Sequence, residues 1–571
     1  MNTLDDLRRE AKFWLKQVRE NHSGFCKRLR LAYPGAPANP GLRDIQHALA
    51  RELGHENWKA LTLALGHESA AAPTPEKGDP VSSFLGFACW DHHVHGLGDY
   101  RAIDAAAMRL LRKHPHIATA NIYTAVVCGE AATVERLLAH NPNLVNQKGG
   151  VRGWEPILYL CYARLSLDVA RDNALYIARL LLDRGANSDA YYMAGHSVYG
   201  TLVGVTGEGE QDAPPHPARD ALYRLLLERG AEPYDIQVLY NTHFRGDVLW
   251  WLTLTWEHSV ATGRERDWSD PDLPIFDMGG YGSGARFLLW LAIRKKNVAL
   301  VEWLVARGAN PHAGPPRAAN LPQHSLYTMA LMGGSHEIAD LLLRHGASAD
   351  VPPLSNEEAF IAACLRLDRP AVDTVLKAHP EYVQSPKALF AAAEQNRPDV
   401  ASLLLDMGVS VNIEDEHRKR ALHVAAASDA RRVVALLIER GAEVDARERH
   451  YHATALGFAC HYDHRAMIDL LAGVSRDVWC LGAQGKVDRL REVLTAEPDR
   501  ARQVAPDGTT PLWWLPDEEP VALEVVELLL THGADPAVKA KDGTMAADSA
   551  RVLGLDRVVA RLEAAILRSS G

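Results

Sequence analysis

The chain has 571 residues, 47% of them hydrophobic, and a formal net charge of −10 at pH 7. With so mild a charge and no long basic patch, nucleic acid is a poor partner, and no run of about 18 apolar residues is present to span a membrane. Seven cysteines, scattered and without a Cys-x-x-Cys pair, argue for buried thiols in a reducing compartment rather than a disulfide frame or zinc finger, so a cytoplasmic protein is expected.

The first segment, Leu4 to Glu20, is charged and amphipathic rather than signal-like. Leu4, Leu7, Ala11, Trp14, Leu15 and Val18 recur at helical spacing. Ile45, Leu49 and Leu53 predict a second helix from Leu42 to Gly54, and Trp58, Leu61 and Leu65 a third apolar face. Residues 1–66 therefore read as a small N-terminal helical domain that caps the rest of the chain. Residues 67–83, rich in Ala, Pro and Glu, read as a linker.

From 84 to 567 one pattern recurs: a short apolar helix, a longer one, then a Gly-containing turn. Asn121 to Cys128 and Val134 to Ala139 form an early pair. Trp154-Glu155-Pro156 begins another, whose second helix, Ile177 to Asp183, ends at Gly185-Ala186. Tyr199 to Pro217 carries Gly207-Glu208-Gly209-Glu210 and Pro214-Pro215-His216-Pro217, and reads as a loop inserted into a repeat. A second irregular stretch, 246–286, holds Trp250, Trp251, Trp256, Trp268, Phe276 and Tyr281. From about 308 the spacing is regular.

The register is plainest between Gly408 and Gly473. Arg420-Ala421-Leu422-His423-Val424-Ala425-Ala426 is followed by Arg431 to Glu439 and Gly441-Ala442. The same order returns as Thr454-Ala455-Leu456, Met467 to Leu471 and Gly473. Gly408 and Gly441 stand one period of about 33 residues apart. In this pattern a threonine caps the first helix and a proline suits its first position, as in Thr510-Pro511-Leu512. Val433, Leu436 and Leu437 are spaced to bury one face of the second helix.

These residues resemble the ankyrin repeat, in the form found in bacterial ankyrin-repeat proteins. Asp44-x-Gln46-x-x-x-Ala50-Arg51-Glu52-x-Gly54-x-x-x-Trp58 is similar to a small segment that often precedes such arrays. The resemblance implies an all-α solenoid of helix pairs with hairpin fingers. It implies a scaffold or adaptor that binds a protein or peptide partner through its concave face, with no cofactor and no assigned activity. The residues expected at the partner are Trp154, Tyr159, Tyr199, Glu208, Glu210, His216, Tyr240, Asn241, Phe244, Tyr281, Arg286, His324 and Tyr327, because aromatic and Arg side chains tend to anchor interfaces.

A rival reading is an enzyme or small-molecule binder. Large insertions in the first half could fold over the groove and close a pocket. His–carboxylate chemistry would then fall to Asp91, His92, His95, Glu208, Glu210 and His216. Within Cys89-Trp90-Asp91-His92-His93-Val94-His95, two of His92, His93 and His95 share a face whether the segment is helical or extended, which makes them weak metal candidates beside a solvated turn. His336-Glu337 lacks the second His of a zinc-protease motif, since Asp340 stands there. Gly279 to Gly284 precedes a helix but is neither a P-loop nor a nucleophile elbow.

Overall fold

A computed structural model describes residues 4–19, 23–53, 55–61, 79–90, 100–194, 197–207, 213–245, 248–268, 285–312, 323–349 and 354–569. It is mostly helical and divides into two compact units, Met1–Arg264 and Glu265–Gly571. Among the described residues no helix is long and apolar enough to cross a membrane.

The first unit opens with helices Leu4–Arg19, Ser23–Ala32 and Leu42–Glu52. Leu7, Ala11, Trp14, Val18, Phe25, Leu29, Ile45, Leu49 and Leu61 bury one another between them. The middle helix is not announced by apolar spacing, because Lys27, Arg28 and Arg30 interrupt it. Arg28 is nevertheless buried, its guanidinium 3.9 Å over the Trp14 ring and bonded to Glu52 and Glu10. Leu53, expected in the core, lies just past the last helical residue and is exposed.

Helix pairs then stack. Ile122–Cys128, Pro156–Tyr162, Thr201–Thr206 and Ile236–Arg245 pack in succession as inner helices. Ala131–His140, Asp168–Asp183 and Arg219–Glu228 pack in the same order as outer ones. Ahead of Thr201–Thr206 stands an antiparallel hairpin, Tyr191–Ala194 with Ser197–Gly200, in which Tyr192 faces Tyr199.

Two stretches differ from the sequence reading. The segment 199–217, expected as a loop, contains the inner helix Thr201–Thr206. Val203, Val205 and Gly204 are poor helix formers, and the helix is held by burial on every side. Gly204 is required there: a Cβ would lie 2.5 Å from the Tyr162 ring. Within 246–286, Val248–Ala261 is a helix of 14 residues. Its apolar residues spread around the axis, so they show no one-sided period. Trp251 is buried and donates from Nε1 to the Tyr223 hydroxyl at 2.6 Å.

In the second unit the inner helices Arg286–Arg294, Leu326–Met332, Asn356–Arg366, Lys387–Glu394, Ala421–Ala427, Ala455–His461 and Val478–Ala483 each pack on the next. This is a solenoid-like order. In Arg431–Glu439 the buried face is Val433, Val434 and Leu437, with Leu436 half-buried. Gly441 ends that helix at φ 84°, a left-handed turn that glycine takes without strain.

The helix-capping threonine is Thr454, whose side chain accepts from the Gly457 N–H at 3.1 Å. Thr510 makes no such bond, because Pro511–Trp513 is only a single tight turn. Trp513 and Trp514 part company there: Trp514 is 44% exposed, while Trp513 is half-buried.

Candidate functional site

In the first unit Trp154, Tyr159 and Tyr199 come together, but inside the protein. Trp154 stacks on Tyr192 at 4.6 Å, and Tyr192 on Tyr199 at 5.3 Å; Tyr159 lies 5.4 Å from Trp154. All three expected contact residues are buried. The Tyr159 hydroxyl accepts from the Arg152 N–H and donates to the Gly149 carbonyl, so its polar end serves a local turn.

His216 is also buried. Its Nδ1 accepts from the Ala218 N–H at 3.0 Å, which puts the ring proton on Nε2. Burial, reinforced by the charge of Arg164, pushes its pKa down to about 3. Arg164 donates from Nε to the Pro214 carbonyl at 2.6 Å and from Nη1 to Cys161 and Ala163 at 3.0 and 2.8 Å, and from Nη2 to Gly204. Burial lowers its own pKa to about 10.

Beside His216 is a recess lined by Val126, Val127, Leu160, Arg171 and Pro217, with room for about one water. The neutral imidazole, which resists protonation, fixes the turn at 216–218, while Arg164 holds Pro214; such an imidazole is a poor proton carrier at neutral pH.

A pH dependence follows from that imidazole. An unfolded histidine takes a proton near pH 6.5, whereas folded His216 does not until about pH 3. Between those values the unfolded chain binds the extra proton, so stability falls as pH falls. Going from pH 7 to 5 is expected to remove about 2 kcal/mol through this group. Urea unfolding at the two pH values, with wild type and His216→Gln, tests it; an equal pH dependence in both would refute it.

The other expected positions are scattered. Tyr240 is half-buried and Asn241 buried on Ile236–Arg245, where Asn241 accepts from Gln237. Phe244 is in the same helix. Arg286 is buried at the start of Arg286–Arg294, with its pKa lowered to about 10 by burial. It donates to the His324 carbonyl at 3.2 Å, and His324 Nε2 lies 2.8 Å from Glu358. Tyr327 is half-buried on the next inner helix. Asp91, His92, His93, His95, Glu208, Glu210 and Tyr281 lie outside the described residues. Among the described residues no three metal-ligating side chains converge.

In the second unit an exposed aromatic ring and cationic side chains are presented from fixed turns. Two successive turns, 414–420 and 448–453, are tied together by the Arg449 N–H, which donates to the His417 carbonyl at 2.7 Å. Glu448 is buried, and its carboxylate accepts from the N–H groups of His450, Tyr451 and Ala453. Burial alone would raise its pKa; those three donors outweigh burial and lower it.

The tip so held presents Tyr451, which is 72% exposed. Its ring lies 4.4 Å from His450 and 6.4 Å from Phe458, with Lys419 Nζ 5.6 Å over Phe458. One repeat on, Arg447 reaches Asp477 at 3.3 Å and lies 5.7 Å over the Trp479 ring. His423, below this surface, is structural. Its Nδ1 accepts from the Arg420 N–H and its Nε2 donates to the Ala446 carbonyl, joining one repeat to the next turn.

The ankyrin-repeat family model, which spans three copies, matches residues 360–448 and 389–481. The chain carries ankyrin repeats. The matched residues contain the turns at 414–420 and 448–453 and the inner helices behind them, so the outward aromatic set sits on ankyrin repeats. No curated protein matches the chain. Repeats of this type are generally protein–protein interaction modules.

No signal in the apolar spacing marks Tyr451 or Arg449. The cue available was the run Arg447-Glu448-Arg449-His450-Tyr451-His452, a polar turn with an aromatic that regular packing does not need.

Proposed function

We propose that the protein is a recognition scaffold. It holds a protein or peptide partner on the concave face formed by its fingers and inner helices, with Tyr451 and the half-buried Trp479 as aromatic anchors, buried Phe458 as the support beneath Tyr451, and Lys419, Arg447 and Arg449 around them. The observation that carries this reading is the pinned turn under Tyr451. Glu448 uses its carboxylate to fix three backbone N–H groups, so an exposed ring is offered on a rigid support. A rigid aromatic pays little ordering entropy on binding, which is why such residues dominate interfaces. A cytoplasmic location fits the seven free thiols.

The test is to identify the partner by proximity labelling and then measure its affinity for variants. Tyr451→Ala is expected to weaken binding about 30-fold, the effect of losing a hot spot worth about 2 kcal/mol. Tyr176→Ala, on the outer helix Asp168–Asp183, is expected to leave it unchanged. Equal affinities for the Tyr451→Ala variant and wild type would rule this face out.

A further inference from the structure

Two of the seven cysteines meet on consecutive ankyrin repeats. Cys460 is near the end of the inner helix Ala455–His461, and Cys480 is in the first turn of the next inner helix, Val478–Ala483. The backbones of these helices approach within 8 Å. Cys480 Sγ lies 3.8 Å from where a Cβ on Gly457 would stand. Gly457 precedes Cys460 by one helical turn, on the same face, so the missing side chain leaves room for one sulfur to reach the other. The neighbouring Cys460 thiol, together with burial, pushes the Cys480 thiol well above its usual range.

A shared anchor fixes the facing geometry. One Asp477 oxygen accepts from the Thr454 hydroxyl at 2.8 Å, at the cap of the first helix. The other accepts from the N–H groups of Trp479 and Cys480, at 3.2 and 3.4 Å, in the second. Both cysteines are half-buried, whereas Cys89, Cys128, Cys161 and Cys364 are buried and shielded from solutes.

We propose that Cys460 and Cys480 are an oxidisable dithiol, converted to an intramolecular disulfide by a low-molecular-weight disulfide such as oxidised glutathione. The Cys460 thiolate attacks one sulfur of the small disulfide, forming a mixed disulfide and expelling one thiolate, which takes up a proton. Cys480 then loses its proton and attacks Cys460 Sγ, expelling the second. One small disulfide is reduced to two thiols, and the protein gives up two protons and two electrons. The product ties two consecutive inner helices together behind the outward aromatic set. Disulfides of this kind in reducing compartments are commonly transient and redox-sensing.

The experiment uses the full, folded chain. It is treated with oxidised glutathione, alkylated, digested with trypsin and analysed by mass spectrometry. The expected result is a reduction-sensitive link between peptides 450–465 and 477–486, with the other five of the seven cysteines alkylated. Cys480→Ser is expected to stop at the mixed disulfide on Cys460. Glutathione adducts on wild-type Cys460 or Cys480 without linkage would overturn the proposal. So would a link that forms only after denaturation.

Discussion

Arg164→Met is expected to cost the repeats around Thr201–Thr206 about 4 kcal/mol of local stability. Two effects oppose each other at this residue. The guanidinium is a buried cation that meets four backbone carbonyls and no carboxylate. Burial lowers its pKa to about 10, a shift worth about 3 kcal/mol against the charge, and methionine relieves that. Against this, the carbonyls of Cys161, Ala163, Gly204 and Pro214 lose their donor. Each orphaned buried acceptor costs about 1–3 kcal/mol, so four outweigh the relief.

Arg164→Lys keeps the charge but replaces a three-nitrogen fork by a single ammonium, and is expected to fall between the two. Hydrogen exchange of peptides covering Thr201–Thr206 and Arg219–Glu228 in the full chain is the measurement. A loss of about 4 kcal/mol speeds exchange by roughly three orders of magnitude. Exchange within tenfold of wild type would show that water or neighbouring groups satisfy those carbonyls instead.

Arg164 also shows what a sequence conceals. It stands between Ala163 and Leu165 with nothing local to distinguish it from a surface cation, because two of its acceptors, Gly204 and Pro214, are remote in the chain. The same remoteness hid the meeting of Cys460 and Cys480, which read as two of seven scattered thiols. What the sequence does display is periodicity. Leu422, Val433, Leu437, Leu456 and Met467 repeat at the ankyrin interval and are all buried, so the regular repeats were legible from residues alone.

Thr201–Thr206 and Val248–Ala261 were not legible, since an inner helix buried on every side and an outer helix with apolar residues around its axis carry no one-sided stripe. His216, singled out by the run Pro214-Pro215-His216-Pro217, is buried in the structure rather than displayed on a loop. Its surroundings keep it neutral down to about pH 3, the reverse of what a proton carrier near neutrality needs. The apolar period does not mark Tyr451, because turn tips are polar in any repeat; the aromatic in the run Arg447 to His452 is the one local cue, and only the Glu448 bonds show that this turn is fixed.

Glu52→Gln is expected to loosen two places at once, the N-terminal helices and the hairpin Tyr191–Gly200. Glu52 takes the Arg28 Nε at 2.9 Å and Nη2 at 2.7 Å, while Glu10 takes Nη2 at 2.6 Å. Burial alone would lower the Arg28 pKa; the two carboxylates outweigh it and raise it. The Tyr191 hydroxyl also bonds to Glu52, so one carboxylate joins the first three helices to the hairpin. Its loss leaves the Arg28 side chain, only 5% exposed, facing a neutral amide with Glu10 as its remaining counterion. Removing one partner of a buried pair typically costs about 3–5 kcal/mol, and the surviving Glu10 contact places this variant toward the lower end. Tyr191→Phe removes only the hydroxyl and is expected to cost about 1 kcal/mol, confined to the hairpin. Hydrogen exchange separates the two. Glu52→Gln should speed exchange in Leu4–Arg19, Ser23–Ala32 and Tyr191–Gly200 together, and Tyr191→Phe in Tyr191–Gly200 alone. If Glu52→Gln affects the hairpin and spares the helices, the Arg28 pair is not what secures the N-terminal core, and the Trp14, Ile45 and Leu49 packing carries it unaided.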